Sequence, residues 1–261
     1  MPPSCILKPD WPNLPSQIGA LTTLRTGGVS CAPFDDGSGV DGFNLGTHVG
    51  DQIEHVLQNR SLLAQFLPDM PQWLSQVHGT TVLDLGSIVE NAKSGLIADA
   101  CFTTQANVVC AVQTADCLPV LFCDAKNGVV AAAHAGWRGL VDGVLENTLL
   151  KMQAAGAESK HILAWLGPAI GPLKFEVGAE VRARFMEVDP CASAAFKPGK
   201  EPGKFYADIY QLARMRLQCA GVVQISGGNF CTVSEPEKFY SYRRDGVTGR
   251  MASLIWIKGV V

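Results

Sequence analysis

The hydrophobic positions of the chain predict three amphipathic helices. In segments 51–66 and 140–155, apolar residues recur every three or four positions, as they do along one face of a helix. We expect Asp51 to cap the start of the first helix and Gly156 to end the second. A third helix is predicted over 208–220. The predicted apolar faces consist of Ile53, Val56, Leu57, Leu62, Leu63 and Phe66 in the first helix and Leu140, Val144, Leu145, Thr148, Leu149 and Met152 in the second.

Short apolar runs between and after these helices predict β-strands. Segment 124–128, Asp-Ala-Lys-Asn-Gly, has the composition of a hairpin loop, and 197–204 is typical of an exposed loop. Strands and helices are interspersed without a regular βαβ alternation, which predicts one domain over 1–261 of the mixed α/β (α+β) class. The predicted strands cover 74–82, 108–112, 118–123, 129–133, 222–225 and 254–257.

The composition is that of a folded globular protein. The chain has 261 residues, 47% of them hydrophobic, and a formal net charge of −3, so a disordered chain is excluded. The acidic balance, with a pI near 5.9, argues against nucleic acid as the main partner.

The start of the chain and its cysteines predict a cytoplasmic protein. No basic segment is followed by an apolar one, as in a signal peptide, and no uncharged apolar run approaches the roughly 18 residues of a membrane span. The nine cysteines form no CxxC pair and no regular disulfide pattern. We therefore expect no membrane partner, a reducing compartment, and thiols that are mostly buried in the core.

Three segments carry potential metal ligands close to predicted strand ends. They are Ser-Gln-Val-His-Gly around His78, Ala-Asp-Cys-Leu-Pro around Cys117 and His-Ala-Gly-Trp-Arg-Gly beginning at His134. Two imidazoles and one thiolate, with a fourth position left to water, are typical of a catalytic zinc site. The spacing alone does not distinguish a metal site from two hydrogen-bonded histidines and a buried thiol, because both fit the same pattern.

Two neighbours of these ligands are further candidates. Arg138 lies close to a predicted helix start, where its planar guanidinium could bind phosphate or carboxylate. Alternatively, it forms a salt bridge at that helix start. Asp116 could orient a ligand or act as a base, or be an ordinary turn residue. Arg25 lies in a tight turn, and Arg243 in an aromatic and basic cluster. His48 lines a pocket or bonds a loop carbonyl.

Taken together, these motifs resemble the YfiH family of laccase-domain proteins, also called multicopper polyphenol oxidases and related to the peptidoglycan editing factor. The resemblance implies a β-sandwich flanked by helices, similar to the catalytic domain of cytotoxic necrotizing factor. It also implies a zinc ion held by His78, Cys117 and His134. The motifs that carry it are Thr-Leu-Arg-Thr-Gly-Gly from Thr23, Asn-Leu-Gly-Thr-His from Asn44, Asn59-Arg60, Gln-Val-His-Gly from Gln76, Ala98-Asp99-Ala100, Ala-Asp-Cys-Leu-Pro from Ala115, His-Ala-Gly-Trp-Arg-Gly from His134, Leu-Gly-Pro-Ala-Ile from Leu166, Tyr-Ser-Tyr-Arg-Arg-Asp-Gly from Tyr240 and Thr-Gly-Arg from Thr248.

The family's activities imply the function that we expect. It is a zinc-dependent purine nucleoside phosphorylase, acting on adenosine, inosine or methylthioadenosine with phosphate, with adenosine deaminase activity. Arg25, Arg138 and Arg243 are candidates for holding phosphate, and Asp99 or Asp116 for handling a proton. Asn44 and His48 are further candidate substrate contacts. We expect a monomer or weak homodimer.

Four other interpretations remain open. The five histidines include no His-x-His pair, which excludes a laccase with several coppers, but one copper could occupy the same three ligands and oxidise phenols. Cys117 beside His134 could instead be the nucleophile of a cysteine hydrolase, or the protein could bind peptidoglycan precursors. A structural zinc would need a fourth ligand, from Cys101, Cys110 or Cys123.

Overall fold

The computed structural model describes residues 5–88 and 95–259. Fourteen strands and six α-helices occur within these residues. The strands are β1 (Ile6–Leu7), β2 (Ile18–Thr23), β3 (Thr26–Ser30), β4 (Val82–Asp84), β5 (Ala100–Thr103), β6 (Val109–Thr114), β7 (Leu118–Asp124), β8 (Val129–Ala135), β9 (Leu163–Leu166), β10 (Glu176–Gly178), β11 (Phe196–Pro198), β12 (Lys204–Ala207), β13 (Gln224–Gly227) and β14 (Met251–Ile257). The helices are α1 (Ile53–Ala64), α2 (Trp137–Asp142), α3 (Val144–Ala154), α4 (Ala179–Val188), α5 (Ile209–Cys219) and α6 (Tyr242–Asp245).

Two sheets pack face to face and form a β-sandwich. A four-stranded antiparallel sheet has the order β1-β2-β14-β6, and a six-stranded mixed sheet has the order β13-β9-β7-β8-β5-β4. Their facing sides share one apolar layer, to which β6 and β14 contribute Val112 and Ile255, and β7 and β8 contribute Leu121 and Val130. A small sheet, β10-β12-β11, lies apart from these two.

Helices cover the outer faces of both sheets. Phe122 and Ala131 of the six-stranded sheet belong to one buried cluster with Leu149 of α3 and Leu217 of α5. On the other side, Leu63 of α1 belongs to a cluster with residues of β2, β6 and β14. Because both of its faces are covered, the hairpin β7–β8 is buried at every position, which explains its uninterrupted apolar sequence. The predicted mixed fold, a sandwich flanked by helices, is confirmed.

Most of the predicted elements are present, with shifted ends. Helix α5 follows the prediction for 208–220, and Asp208 caps it by accepting a hydrogen bond from Gln211 N. The strands predicted from 108 onward are found, and β7 and β8 pair as the hairpin expected around 124–128. The loop predicted over 197–204 is the turn of another hairpin, because β11 and β12 pair antiparallel on either side of it.

The details of helix α1 differ from the prediction. Asp51 does not cap it; its carboxylate instead accepts hydrogen bonds from Ser30 Oγ and Asn44 Nδ2. Ile53 and Leu57, placed on the apolar face by their spacing, are 46% and 55% exposed. Helix α1 therefore buries a narrower face than the apolar face predicted from the sequence.

The helix predicted over 140–155 is two helices. Gly143 separates α2 from α3 with a φ of 98°, a left-handed conformation that glycine adopts without steric cost. Leu140 consequently belongs to α2, although it is buried as expected. The strand predicted over 74–82 was also wrong, since β4 begins only at Val82 and Ser75 forms a single bridge with Ile97.

The nine cysteines are all unpaired thiols, and four of them are buried. The expectation that most would fill the core was wrong, because Cys31, Cys191 and Cys219 are exposed. None of the helices in the described chain has the length and apolar character needed to cross a bilayer.

Asn59 fastens the long β3–α1 connection to helix α1. Its buried amide donates to Ser30 Oγ (3.0 Å), Gly42 O (3.1 Å) and Asn44 O (2.9 Å), and its Oδ1 accepts from Val29 N (2.9 Å). The Asn59 side chain thus forms hydrogen bonds with the end of β3 and with Gly42 and Asn44 further along the connection.

We predict that Asn59→Ala lowers the free energy of unfolding by roughly 2–4 kcal/mol, because several buried polar groups lose their partner together. Urea unfolding followed by circular dichroism measures this loss. The neighbouring Gln58→Ala is the matched control, since Gln58 is exposed and should change stability by less than about 0.5 kcal/mol. Equal stability of the two variants would contradict the role given to Asn59.

Candidate metal centre

Three segments bring His78, Cys117 and His134 to one end of the sandwich. Cys117 lies in the turn by which the chain passes from β6, in the four-stranded sheet, to β7, in the six-stranded sheet. His134 is the next-to-last residue of β8 and pairs with Pro119 of β7, so it lies beside Cys117. His78 comes from the loop before β4, with a φ of 61°.

The three side chains have the spacing of metal ligands. Their ligand atoms lie within 4.8 Å of one another, and Cys117 Sγ is 3.7 Å from His78 Nε2. Tetrahedral bonds of ordinary length to zinc would separate a sulfur and a nitrogen ligand by about 3.6 Å. Within residues 5–88 and 95–259, no further His, Cys, Asp or Glu joins the group. The donor set therefore fits a metal with an open position.

The cysteines considered for a structural zinc lie elsewhere. Cys101, Cys110 and Cys123 are buried in the apolar layer between the two sheets. The fourth ligand of a closed zinc site does not come from them.

Gly136 makes room for the cluster. A Cβ at this position would lie 2.7 Å from Cδ2 of His78 and 3.1 Å from Sγ of Cys117. Any larger residue would push two of the three ligands apart. This contact gives a physical reason for the glycine that follows His134 by two residues.

Asp99 holds two of the three ligands in place. The carboxylate, fully buried, accepts hydrogen bonds from the backbone N–H groups of Val77 (3.2 Å), His78 (2.9 Å) and Gly79 (2.7 Å). It also accepts from Nδ1 of His134 at 2.8 Å. Since a carboxylate only accepts, Nδ1 of His134 carries the proton and Nε2 is left for a ligand bond.

The charges in the cluster favour the ionised ligands. Burial alone would raise the pKa of Asp99, but the hydrogen bonds from His134 and Gly79 outweigh it and lower that pKa. Burial likewise opposes ionisation of Cys117, yet the imidazoles of His134 and His78 lower its pKa to about 6. Burial disfavours charge on His134, but the Cys117 thiolate and Asp99 raise its pKa to about 9. Metal binding would displace a proton from His134 rather than from the thiol.

A pocket of about 730 Å³ opens beside the three ligands. This volume is in the range of small-molecule sites. Among the described residues, two arginines and no carboxylate line it. The residues that line it are Thr47, His48, Arg60, Trp73, Leu74, Ser75, Gln76, His78, Gln113, Thr114, Ala115, Cys117, His134, Tyr242 and Arg250.

Of the expected substrate contacts, His48 is in this pocket, and Arg25 and Asn44 are not. The buried guanidinium of Arg25 donates to Asp35 O and Pro236 O, which joins two loops. The buried Asn44 accepts from Arg250 N and donates to Asp51 Oδ2. Both side chains are thus occupied in holding the loops around the pocket.

The other expected residues also lie outside the pocket lining. Arg138 is exposed, with its guanidinium 4.7 Å from the centre of the Trp137 ring. Arg243 Nη1 donates to Glu176 O at 3.0 Å. Asp116 accepts from Thr232 Oγ1 and from the backbone N of Arg243, both at 2.6 Å, so it fastens the α6 segment beside Cys117.

The sequence motifs include the two arginines of the pocket, but the sequence analysis gave them no role. Arg60 follows the buried Asn59 on α1, and Arg250 directly precedes the buried strand β14. A charged residue next to a buried position in a helix or strand is a weak signal for a pocket. Only the packing of α1 and β14 shows that both face the same space.

The sequence analysis also did not predict the hydrogen bonds between Gln76 and Gln113, two residues that line the pocket. Gln76 and Gln113 exchange two hydrogen bonds, Gln76 Nε2 to Gln113 O (2.8 Å) and Gln113 N to Gln76 Oε1 (2.7 Å). Gln113 Nε2 then donates to Leu45 O at 2.8 Å. This network links the loop of His78 to β6 and to the β3–α1 connection.

Known proteins are similar to this chain over nearly its whole length. The family model described as multi-copper polyphenol oxidoreductase laccase matches residues 19–258. The purine nucleoside phosphorylase YfiH of Escherichia coli is 52% identical over 256 residues, covering 97% of this chain and 99% of that protein. The purine nucleoside phosphorylase of Haemophilus influenzae is 50% identical over 255 residues, covering 97% and 99%.

Solved structures agree with these relatives. A crystal structure of a Neisseria meningitidis protein matches with a TM-score of 0.88 and 47% identity, covering 97% of this chain and 99% of that one. The hypothetical protein YfiH of Bacillus licheniformis matches with a TM-score of 0.84 and 30% identity, covering 93% of both chains. The resemblance expected from the motifs is confirmed: the chain belongs to the multi-copper polyphenol oxidoreductase laccase family, together with the YfiH proteins.

Proposed function

We propose that this protein is a zinc-dependent purine nucleoside phosphorylase that also deaminates adenosine. One observation carries the proposal: His78, Cys117 and His134 converge at a pocket of about 730 Å³ whose described lining contains arginines and no carboxylate. Relatives about half identical to the chain bear the name purine nucleoside phosphorylase. The substrates proposed are adenosine, inosine or methylthioadenosine, together with phosphate.

The ligand set suits zinc. Two imidazoles and a thiolate, with one position free, match the composition of catalytic zinc sites. Zinc held there would supply Lewis acidity to a substrate group or to water in the pocket. The nine unpaired thiols support our further proposal of a reducing, cytoplasmic compartment.

The pocket walls provide for the parts of a nucleoside. The hydroxyls of Thr47, Ser75 and Thr114 line it and can bond to ribose hydroxyls, while the indole of Trp73 offers an apolar surface for a base. In phosphorolysis the bond between C1′ and the base breaks, its electron pair goes to the base, a phosphate oxygen bonds to C1′, and the proton of hydrogen phosphate ends on the base. With no carboxylate among its described lining residues, the pocket adds no carboxylate repulsion against the phosphate.

Asp99 and Asp116 are positioning residues in this proposal. Asp99 is fully buried and engaged by four donors, and both oxygens of Asp116 are engaged by Thr232 and Arg243. Neither carboxylate lines the pocket where substrate would lie. Their hydrogen bonds support a role in orienting the cluster and the α6 segment rather than in carrying a proton to the base.

We predict that zinc-loaded protein converts adenosine and phosphate to adenine and ribose 1-phosphate, and adenosine to inosine, and that Cys117→Ala lowers both rates roughly 100-fold or more. The thiolate is one of three ligands, so its loss should empty the site. Chromatography of the products, with zinc content measured on the same samples, checks this.

The control for this experiment is Cys219→Ala, which removes an exposed thiol at the end of α5 and should leave both rates unchanged. Undiminished turnover by the Cys117 variant would assign the activity to a contaminant and end the proposal.

We predict that Asp99→Asn raises the dissociation constant for zinc about 10- to 100-fold, because an amide places donor hydrogens where Asp99 accepts from His134 and from the His78 loop. Competition with a chromophoric chelator measures this constant. Asp142→Asn, at an exposed ion pair with Arg184, is the control and should bind zinc like the wild type. Unaltered affinity in Asp99→Asn would show that the buried carboxylate does not orient the ligands.

A cysteine hydrolase is the second candidate, and the same geometry favours it when no metal is bound. The ligand atoms of Cys117 and His134 lie within 4.8 Å of each other, and Asp99 orients the His134 ring at 2.8 Å, which is the order of nucleophile, base and orienting carboxylate. Zinc distinguishes the candidates, because a thiolate bound to metal is a poor nucleophile. Zinc should raise phosphorolysis and abolish any hydrolase activity.

The copper oxidase interpretation has support from the family name alone. The five histidines all lie in the described chain, and only His78 and His134 enter the metal-ligand group. His55 and His161 lie beside Asp51 and Glu158 instead. One copper at the three ligands is therefore the form that phenol oxidation would take.

A further inference from the structure

We propose that Arg60 and Arg250 together form the subsite that binds the phosphate co-substrate, on the pocket wall next to the metal ligands. This assignment deepens the proposed phosphorolysis and rests on it. It replaces the arginines expected from the sequence, whose guanidinium groups lie outside the pocket lining.

The guanidinium of Arg60 is held in a fixed orientation. Its Nε and Nη2 both donate to Leu45 O, at 3.1 and 2.9 Å, and its plane lies 4.3 Å from the centre of the Trp73 ring. Leu45 O also accepts from Gln113, so the carbonyl itself is fixed. Within the described chain, Nη1 of Arg60 has no hydrogen-bond partner. An oriented fork loses little entropy when it binds an oxyanion.

Arg250 is anchored in the same way by neighbouring backbone. Its Nη1 donates to Thr248 O and Gly249 O, both at 3.0 Å, and its own N donates to Asn44 Oδ1. Gly46 makes this position accessible, since a Cβ there would lie 2.8 Å from Cγ of Arg250. Nε and Nη2 of Arg250 have no partner in the part of the chain that the structure describes.

Neither arginine is neutralised by the protein. In the described residues, neither one forms an ion pair with a carboxylate, and no Asp or Glu lines the pocket. Burial lowers the pKa of Arg60 to about 10 and also lowers that of Arg250, yet both remain charged at neutral pH. Two half-buried cations that form no direct ion pair with a carboxylate in the described residues favour a dianion, and a guanidinium matches phosphate oxygens in a bidentate arrangement.

The two charges act on the same region of the pocket. Arg60, Arg250 and His48 all line the same pocket, so both guanidinium groups border the space that this imidazole borders. The three metal ligands His78, Cys117 and His134 line this pocket as well. A phosphate between Arg60 and Arg250 would therefore lie near His48 and beside the ligands of the metal.

The test compares Arg60→Gln and Arg250→Gln with Arg184→Gln, which removes the same charge from an exposed residue of α4. In zinc-loaded protein, the KM for phosphate should rise roughly 10- to 100-fold in the two pocket variants, while the KM for adenosine changes little. Isothermal titration with inorganic phosphate, on zinc-loaded and on metal-free protein, should show a matching loss of binding. Arg184→Gln should behave as the wild type.

Charge-preserving variants show whether a loss of phosphate binding in the glutamine variants comes from the lost charge or from a defect in folding. Arg60→Lys and Arg250→Lys keep the cation but lose the fork, and they should recover part of the phosphate affinity. If the glutamine variants bind phosphate as tightly as the wild type, the subsite is wrongly assigned, even where phosphorolysis is present. If wild-type protein does not bind phosphate, the subsite is again refuted. If it binds phosphate through both arginines but performs no phosphorolysis, the subsite stands and the proposed function fails.

Discussion

One buried carboxylate, that of Asp99, sets the positions of two of the three metal ligands. It fixes the turn of His78 through three backbone hydrogen bonds and the ring of His134 through a fourth. Asp99 can do this because β5 pairs with β8, which places the residue before Ala100 beside the end of β8. The ligand geometry is thus a consequence of strand register. A change in the register of β5 against β8 would move Asp99 away from His134 and disrupt that geometry.

The pocket forms at the end of the sandwich where the chain crosses from one sheet to the other. The turn from β6 to β7 carries Cys117 across from one sheet to the other, and β14, which pairs with β6, begins directly after Arg250. Ligands from one sheet and cations attached to the other therefore face a common space. The β3–α1 connection closes it on a third side and is itself held by Asn59 and Asn44.

The sequence predicted those features that depend on neighbouring residues. The apolar runs of β7 and β8 and the helix predicted over 208–220 depend on local patterns, and both were found. Gly143 was not read as a break, because a single glycine within a helical pattern is usually tolerated. The three metal ligands were identified from their motifs, whereas Arg60 and Arg250 were not given roles. Their place in the pocket depends on contacts with Leu45 and Asn44, which are distant in sequence and leave no periodic signal.

His78 is attached to the protein more weakly than its two partner ligands. His134 lies in β8 and Cys117 directly precedes β7, two strands buried at every position, whereas His78 lies on an exposed turn held by hydrogen bonds to Asp99 and, through Gln76, to Gln113. Local opening costs less free energy in such a turn than in a central strand. A bound metal would accordingly detach from His78 first, while the sandwich stays folded. The rate of metal exchange is then set by the opening of one turn and not by the lifetime of the native fold.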